Sequence, residues 1–259
     1  MTKYLEAPVA VVTGGGGALG AVIGRVLAED GFQVVLVDRD RTAVKAAAEV
    51  DGPPGRPPVA LAADVTEATD VEAMVAEVGG RFGRLDVVVN SAGIERVHAL
   101  ETMDESDWDL TMDVNVKGPM LLSRAAVPFW RKQGSGAVVN ISSRAWSGGS
   151  ANTAYASSKA ALVGLTTAMA VELGPLGVRA NAVAPSFVLT PFNRHRTDVD
   201  DLAKMVERYT AFTPLRRLVE PVDVANAVAF LASERARNIT GEVLHVCAGS
   251  QLPPVVGEP

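Results

Sequence analysis

The sequence predicts an α/β fold: one doubly wound domain in which a parallel sheet carries helices on both faces. Three observations point to it. Short apolar runs rich in β-branched residues alternate with longer Ala- and Leu-rich stretches of helical period. A glycine cluster, Gly14 to Gly17, separates the first apolar run from the first helical stretch. Over 259 residues nothing reads as an interdomain linker, since Pro53 to Pro58 is short and lies between a helix and a strand, where it forms a surface turn.

The elements follow in order. Strands are expected over Val9 to Thr13, Gln33 to Val37, Val59 to Leu61, Asp86 to Asn90, Ala137 to Ser142, Val178 to Ala182 and Glu242 to Val246. Helices are expected over Ala18 to Asp30, Arg41 to Val50, Glu67 to Arg81, Glu105 to Arg131, Asn152 to Leu173 and Val222 to Ala232, each with apolar residues three and four apart. Gly31, Gly83, Gly134 and Gly174 stand where the chain leaves a helix, positions that accept positive φ without a Cβ clash. Pro191 to Leu215 interrupts the alternation and is read as a substrate lid, and the last residues, 250–259, as a tail.

Composition narrows the function. One cysteine cannot form an internal disulfide, which removes stapled secreted scaffolds and makes a reducing cytoplasm the expectation. A net charge of -6 without a basic stripe argues against nucleic acid. Ala7 to Gly24 is uncharged, but six glycines interrupt it and Glu6 precedes it, so it fits neither a signal segment nor a membrane span. His98, His195 and His245 are scattered and define no metal set.

The glycine cluster has a physical use. Where a strand meets a helix, absent side chains let a diphosphate approach the backbone, and the helix N-terminus offers free N–H groups and partial positive charge. Asp38 closes the second strand, 18 positions after Gly20, where a carboxylate accepts hydrogen bonds from an adenosine ribose and repels a 2′-phosphate. This selects NAD. Arg39 dissents, because a guanidinium there could hold that phosphate. Downstream, Tyr155 and Lys159 stand four apart at the start of a helix and project from one face. An ammonium beside a phenol favours the phenolate, so Lys159 is expected to lower the Tyr155 pKa and activate it.

Over nearly its whole length the chain resembles the short-chain dehydrogenase/reductase family. Thr13 to Gly20 matches the family's TGxxxGxG loop with Ala18 at a usual glycine, and Ala62-Ala63-Asp64-Val65 is similar to the adenine-contacting segment. Asn90-Ser91-Ala92-Gly93 is similar to NNAG, Asn115 sits where the family has a catalytic Asn, Tyr155 and Lys159 match YxxxK, and Asn181 to Pro191 matches NxxxPGxxxTP. Two positions depart: Ser186 replaces a glycine, and Cys247-Ala248-Gly249 replaces the usual Asp-Gly-Gly.

The resemblance implies a Rossmann-type domain with sheet order 3-2-1-4-5-6-7. It also implies hydride transfer between NAD(H) and a small-molecule secondary alcohol or ketone. Catalysis would fall to Asn115, Ser143, Tyr155 and Lys159. Gly14, Gly17, Ala18, Leu19, Gly20, Asp38, Arg39, Asp64, Val65, Asn90, Ala92, Gly93, Tyr155, Lys159, Pro185, Ser186, Val188 and Thr190 would bind cofactor. Lys159 would also hold the nicotinamide ribose, Asn115 a water leading from Lys159 to bulk, and Val188 and Thr190 the carboxamide. Counting back from Tyr155 by the family spacing indicates Ser142, whereas counting forward from Asn115 indicates Ser143. A one-residue deletion in the loop Arg144 to Thr153 reconciles them, and Ser143 is chosen. Paired interface helices of the family imply a homotetramer or homodimer. Two rival readings remain, an NADP(H)-dependent 3-oxoacyl thioester reductase and a non-catalytic NAD-binding regulator.

Overall fold

The computed structural model describes residues 7–50, 56–148, 150–190 and 199–252. Strands β1 (Val9–Thr13), β2 (Gln33–Asp38), β3 (Val59–Ala62), β4 (Val87–Asn90), β5 (Gly136–Ile141), β6 (Val178–Pro185) and β7 (Val243–Val246) form a seven-stranded sheet ordered β3-β2-β1-β4-β5-β6-β7. Every pairing is parallel. The helices are α1 (Ala18–Glu29), α2 (Arg41–Val50), α3 (Ala68–Phe82), α4 (Glu105–Met112), α5 (Gly118–Gln133), α6 (Thr153–Leu173), α7 (Val199–Phe212) and α8 (Pro221–Ala232). Among the described residues no helix is long and apolar enough to cross a membrane.

Successive strand residues point to opposite faces, so a sheet covered on both sides needs continuous apolar runs. Ala10 and Val12 of β1 join Ile23, Leu27, Val224, Val228 and Leu231 of α1 and α8 in one core. Val9 and Val11 join Val71, Val78, Leu122, Trp130, Met169 and Leu173 of α3, α5 and α6 in the other. Because β2 and β3 wind to one side of β1 and β4 to β7 to the other, a crevice opens at the carboxyl ends of β1 and β4. Thr13, Asp38, Asn90 and Pro185 close their strands at that edge, and Ser143 lies two residues beyond β5.

Three expectations change. The helix expected over Glu105 to Arg131 is interrupted by a wide π turn at Asp113–Lys117, where Gly118 N–H donates to the Asp113 carbonyl five residues back. Pro119 has no N–H for the Asn115 carbonyl, and the wider turn makes room for its ring. Gly174 is right-handed at φ -51°; with Pro175 it opens a 3₁₀ turn, and Gly177, at φ +75°, makes the reversal instead. The strand expected to stop at Ala182 continues to Pro185, because β7 pairs with Ala182 to Pro185. Of the expected lid, residues 191–198 lie outside the described residues, while 199–212 form α7; of the tail, 253–259 lie outside them.

The altered C-terminal motif forms a turn. Ala248 takes φ +51°, a conformation that costs an alanine on the order of 1 kcal/mol. Its carbonyl accepts from Leu215 N–H at 3.2 Å, pinning the chain just after α7. The buried Cys247 thiol bonds to the Gln251 side chain.

Candidate active site

One cavity of about 810 Å³ runs along the crevice, from the glycine loop past Asp38 to Ser143, Tyr155 and Lys159. At its first end the loop is packed too tightly for side chains. A Cβ on Gly20 would lie 2.2 Å from the Gly14 carbonyl oxygen, and one on Gly14, already at φ +68°, would lie 2.9 Å from the Ala92 nitrogen. Thr13 Oγ1 fixes the neighbouring strand end by accepting from Ser91 N–H and Ala92 N–H, each at 3.1 Å. Gly17 begins α1 without a side-chain cap, and Gly17, Ala18, Leu19 and Gly20 line the cavity, an arrangement suited to an anion at the helix N-terminus.

Asp38 is held in place by two backbone donors. Its Oδ2 accepts from Gly16 N–H and its Oδ1 from Asp40 N–H, both at 3.1 Å. Exposed Arg39 lines the cavity beside it. Asp64 accepts from Thr66 N–H at 2.9 Å and Thr66 Oγ1 at 2.8 Å, which presents Asp64 and Val65 to the same space.

At the other end α6 brings two ionisable side chains to the cavity. Asn152 caps that helix by accepting from Tyr155 N–H at 3.1 Å. Four residues apart on one face, Tyr155 and Lys159 enter the cavity, with Lys159 Nζ 5.5 Å from the Tyr155 ring centre. The buried Lys159 ammonium donates to the Ile141 carbonyl at 2.8 Å. Burial pushes its pKa down to about 8, opposed by the Glu95 charge. The phenol behaves oppositely to expectation: burial drives Tyr155 up to about 12, the Ser143 hydrogen bond pulls it down, and Glu95 adds to the rise. Desolvation outweighs the Ser143 hydrogen bond, so Tyr155 carries its proton near neutrality.

The adjacent serines have different partners. Buried Ser142 donates to the Lys159 carbonyl at 3.0 Å, joining β5 to α6. Ser143 hydrogen-bonds to the Tyr155 side chain and also accepts from Ala145 N–H at 3.2 Å. The 3₁₀ turn that follows, Arg144–Ser147, is anchored when Trp146 Nε1 donates to His245 Nε2 at 3.2 Å.

Of the residues singled out from sequence, all but two line the cavity. Asn90 and Asn115 stand behind its wall. Asn90 Nδ2 donates to Asn140 Oδ1 at 2.7 Å, and Asn140 Nδ2 to Thr166 Oγ1 at 2.8 Å, a buried polar chain linking β4, β5 and α6. On the π turn, fully buried Asn115 accepts from Ile94 N–H at 2.9 Å. Its Nδ2 donates to the Ile94 carbonyl at 3.0 Å and to Ser158 Oγ at 2.9 Å. Its side chain thus positions the segment after β4 against α6. Sequence reasoning missed Glu95 and Asn152, whereas Tyr209 falls within the expected lid Pro191 to Leu215. Glu95 and Tyr209 line the cavity, Tyr209 stacking on Phe187 with ring centres 4.9 Å apart, and Asn152 holds the N-terminus of α6. The one signal for Glu95 was a charge two residues after the NNAG-like segment; for Asn152 it was its place at the start of the expected helix.

A family model described as enoyl-(acyl carrier protein) reductase matches residues 16–251. The BbsD subunit of (2S)-[(R)-hydroxy(phenyl)methyl]succinyl-CoA dehydrogenase from Thauera aromatica is 38% identical over 245 residues, covering 94% of this chain and 96% of the relative. The 3-oxoacyl-[acyl-carrier-protein] reductase FabG of Staphylococcus aureus is 38% identical over 245 residues, with 94% and 98% coverage. A gluconate 5-dehydrogenase from Burkholderia cenocepacia, crystallised with NADP and tartrate, superposes with a TM-score of 0.87 at 29% identity, covering 96% of this chain and 97% of its own. With the fold, the ordered motifs and these relatives in agreement, the chain belongs to the short-chain dehydrogenase/reductase family of oxidoreductases.

Proposed function

We propose that the protein is an NAD(H)-dependent oxidoreductase interconverting secondary alcohols and ketones. The observation that carries this reading is the meeting of Ser143, Tyr155 and Lys159 on one cavity with the glycine loop and Asp38. Gly14, Gly17, Ala18, Leu19 and Gly20 would hold the diphosphate, and Asp38, Asp64 and Val65 the adenosine. Ala92, Gly93, Lys159, Pro185, Ser186, Val188 and Thr190 would hold the nicotinamide half. When bound, the cofactor supplies or accepts the hydride. Tyr155 Oη passes the proton to or from the substrate oxygen, and Ser143 Oγ donates to that oxygen as charge develops on it. Lys159 adds positive charge beside both. The Asn115 carbonyl, lacking the i+4 donor that Pro119 cannot supply, is the acceptor for a water leading from Lys159 to solvent.

Cofactor choice supplies the test. NAD should bind at least tenfold tighter than NADP, a difference of about 1.4 kcal/mol, because the fixed Asp38 carboxylate meets the 2′-phosphate with like charge. Asp38→Ser should close most of that gap by leaving Arg39 to pair with the phosphate. Fluorescence titration with NADH and NADPH measures both, and equal affinities in the parent would refute the NAD assignment. Arg39, the FabG relative and the NADP-bound neighbour favour a second reading, an NADP(H)-dependent 3-oxoacyl thioester reductase, which that outcome would support.

The serines give a separate expectation. Ser143→Ala should lower kcat roughly a hundredfold, as loss of one donor to a developing oxyanion does, and Ser142→Ala much less. Steady-state rates at saturating NAD decide between them, and a larger loss at Ser142 would reverse the assignment. Assembly is proposed as a homodimer or homotetramer through α6, whose outer face exposes Ala160, Gly164, Ala168 and Val171. A monomer by light scattering at micromolar concentration would exclude it.

A further inference from the structure

Glu95 has no part in the proton and hydride transfers, yet it stands on the wall of the reaction cavity beside Tyr155. It is exposed there. Its place is fixed by the cap of the catalytic helix: Asn152 Nδ2 donates to Glu95 Oε1 at 3.4 Å and to the Arg96 carbonyl at 2.8 Å, while Asn152 Oδ1 holds Tyr155 N–H. The adjacent Arg96 pairs with Asp107 at 3.7 Å, and Asp107 also meets His98 Nε2 at 2.7 Å. The Glu95 charge is felt at the reaction centre, where it favours the ammonium of Lys159 and the neutral phenol of Tyr155.

We propose that Glu95 is a specificity-determining residue whose carboxylate accepts a hydrogen bond from a second donor on the substrate, a hydroxyl or ammonium group on the carbon next to the carbinol. This deepens the alcohol dehydrogenase reading and rests on it. A carboxylate is acceptor-only when ionised, so a donor in that place gains a charge-assisted hydrogen bond, while a substrate carboxylate meets like charge in a cavity from which it has displaced water. Phe187 and Tyr209 add an aromatic wall.

A matched set isolates the effect: 1-phenylethanol, 1-phenylethane-1,2-diol, 2-amino-1-phenylethanol and mandelate share one carbinol and differ only on the neighbouring carbon. With NAD, the parent should show kcat/KM for the diol and amino alcohol at least tenfold above 1-phenylethanol, and mandelate lowest. Glu95→Gln should bring the four within about threefold, and Glu95→Asp should keep the parent's order. Turnover of 1-phenylethanol with ratios unchanged by Glu95→Gln, or a parent preference for mandelate, would overturn the inference while leaving the dehydrogenase reading intact. Absence of turnover with all four would count against that reading instead. Calorimetric titration of the NAD-loaded protein with the same compounds then decides Glu95 alone: the same order, lost in Glu95→Gln, supports it, and equal or undetectable binding overturns it.

Discussion

Tyr155→Phe is expected to lower kcat by about 10²–10⁴-fold, the range typical of a lost general acid or base, while NADH affinity stays within threefold. The substitution keeps the ring that packs near Lys159 Nζ and removes only the hydroxyl that hydrogen-bonds to Ser143. A retained rate within tenfold of the parent would dismiss Tyr155 as the proton donor. The pH dependence has a definite sign. Burial holds the phenol near a pKa of about 12, so Tyr155 already carries the proton that ketone reduction needs. Alcohol oxidation needs the phenolate, whose population rises as pH rises. Between pH 6 and 7.5, where Lys159 keeps its proton, the phenolate population rises tenfold per unit, so the oxidation rate of the parent should climb by up to about thirtyfold while reduction stays flat, and Tyr155→Phe should abolish the climb. Initial rates in both directions across that interval measure it.

That reversal at Tyr155 shows where sequence reading stops. Spacing placed Tyr155 and Lys159 on one helical face, because the α-helical period is a local property. It did not show that Lys159 Nζ is directed to the Ile141 carbonyl, since that contact depends on how β5 and α6 pack. The parallel sheet and its order were legible from the alternation of apolar runs and from the family resemblance, whereas the break in the Glu105 to Arg131 helix was not. Pro119 was visible, but a proline does not by itself mark a wide turn, since Pro128 lies inside α5 without one. Asn90 and Asn115 matched family positions by residue type, yet their side chains serve buried backbone and amide groups rather than the cavity wall. The paired serines differ for the same reason. Ser142 finds the Lys159 carbonyl and Ser143 finds Tyr155, and these partners lie 17 and 12 residues along the chain in another element. Glu95 carried little signal, because a carboxylate in an exposed loop is ordinary on any surface; only the cap at Asn152 ties it to Tyr155.

Lys159→Met should make the protein more stable and nearly inactive. A buried ammonium is costly, and its depression from 10.5 to about 8 corresponds to a penalty on the order of 3 kcal/mol when the lysine is charged in both folded and unfolded chains. Methionine fills similar volume without charge, but forfeits the 2.8 Å bond to the Ile141 carbonyl, worth roughly 1–2 kcal/mol. A net gain of about 1–2 kcal/mol should raise Tm by roughly 2–8 °C for a chain of this size, measured at pH 7 without added cofactor. The sign of its pH dependence follows from linkage. Below pH 8 both states hold the proton and the penalty is fully expressed. Between about 8 and 10.5 the unfolded chain binds more protons than the folded one, so the parent gains stability as pH rises and the advantage of the methionine shrinks. At pH 7, where the parent lysine is charged, turnover of the variant should be at least a hundredfold lower, because the positive charge beside Tyr155 and the proposed ribose contact are lost together. A variant that is inactive yet no more stable than the parent at pH 7 would mean that the ammonium is solvated well enough to carry no such penalty. A gap in Tm that widens with pH would mean that the lysine titrates in the opposite sense.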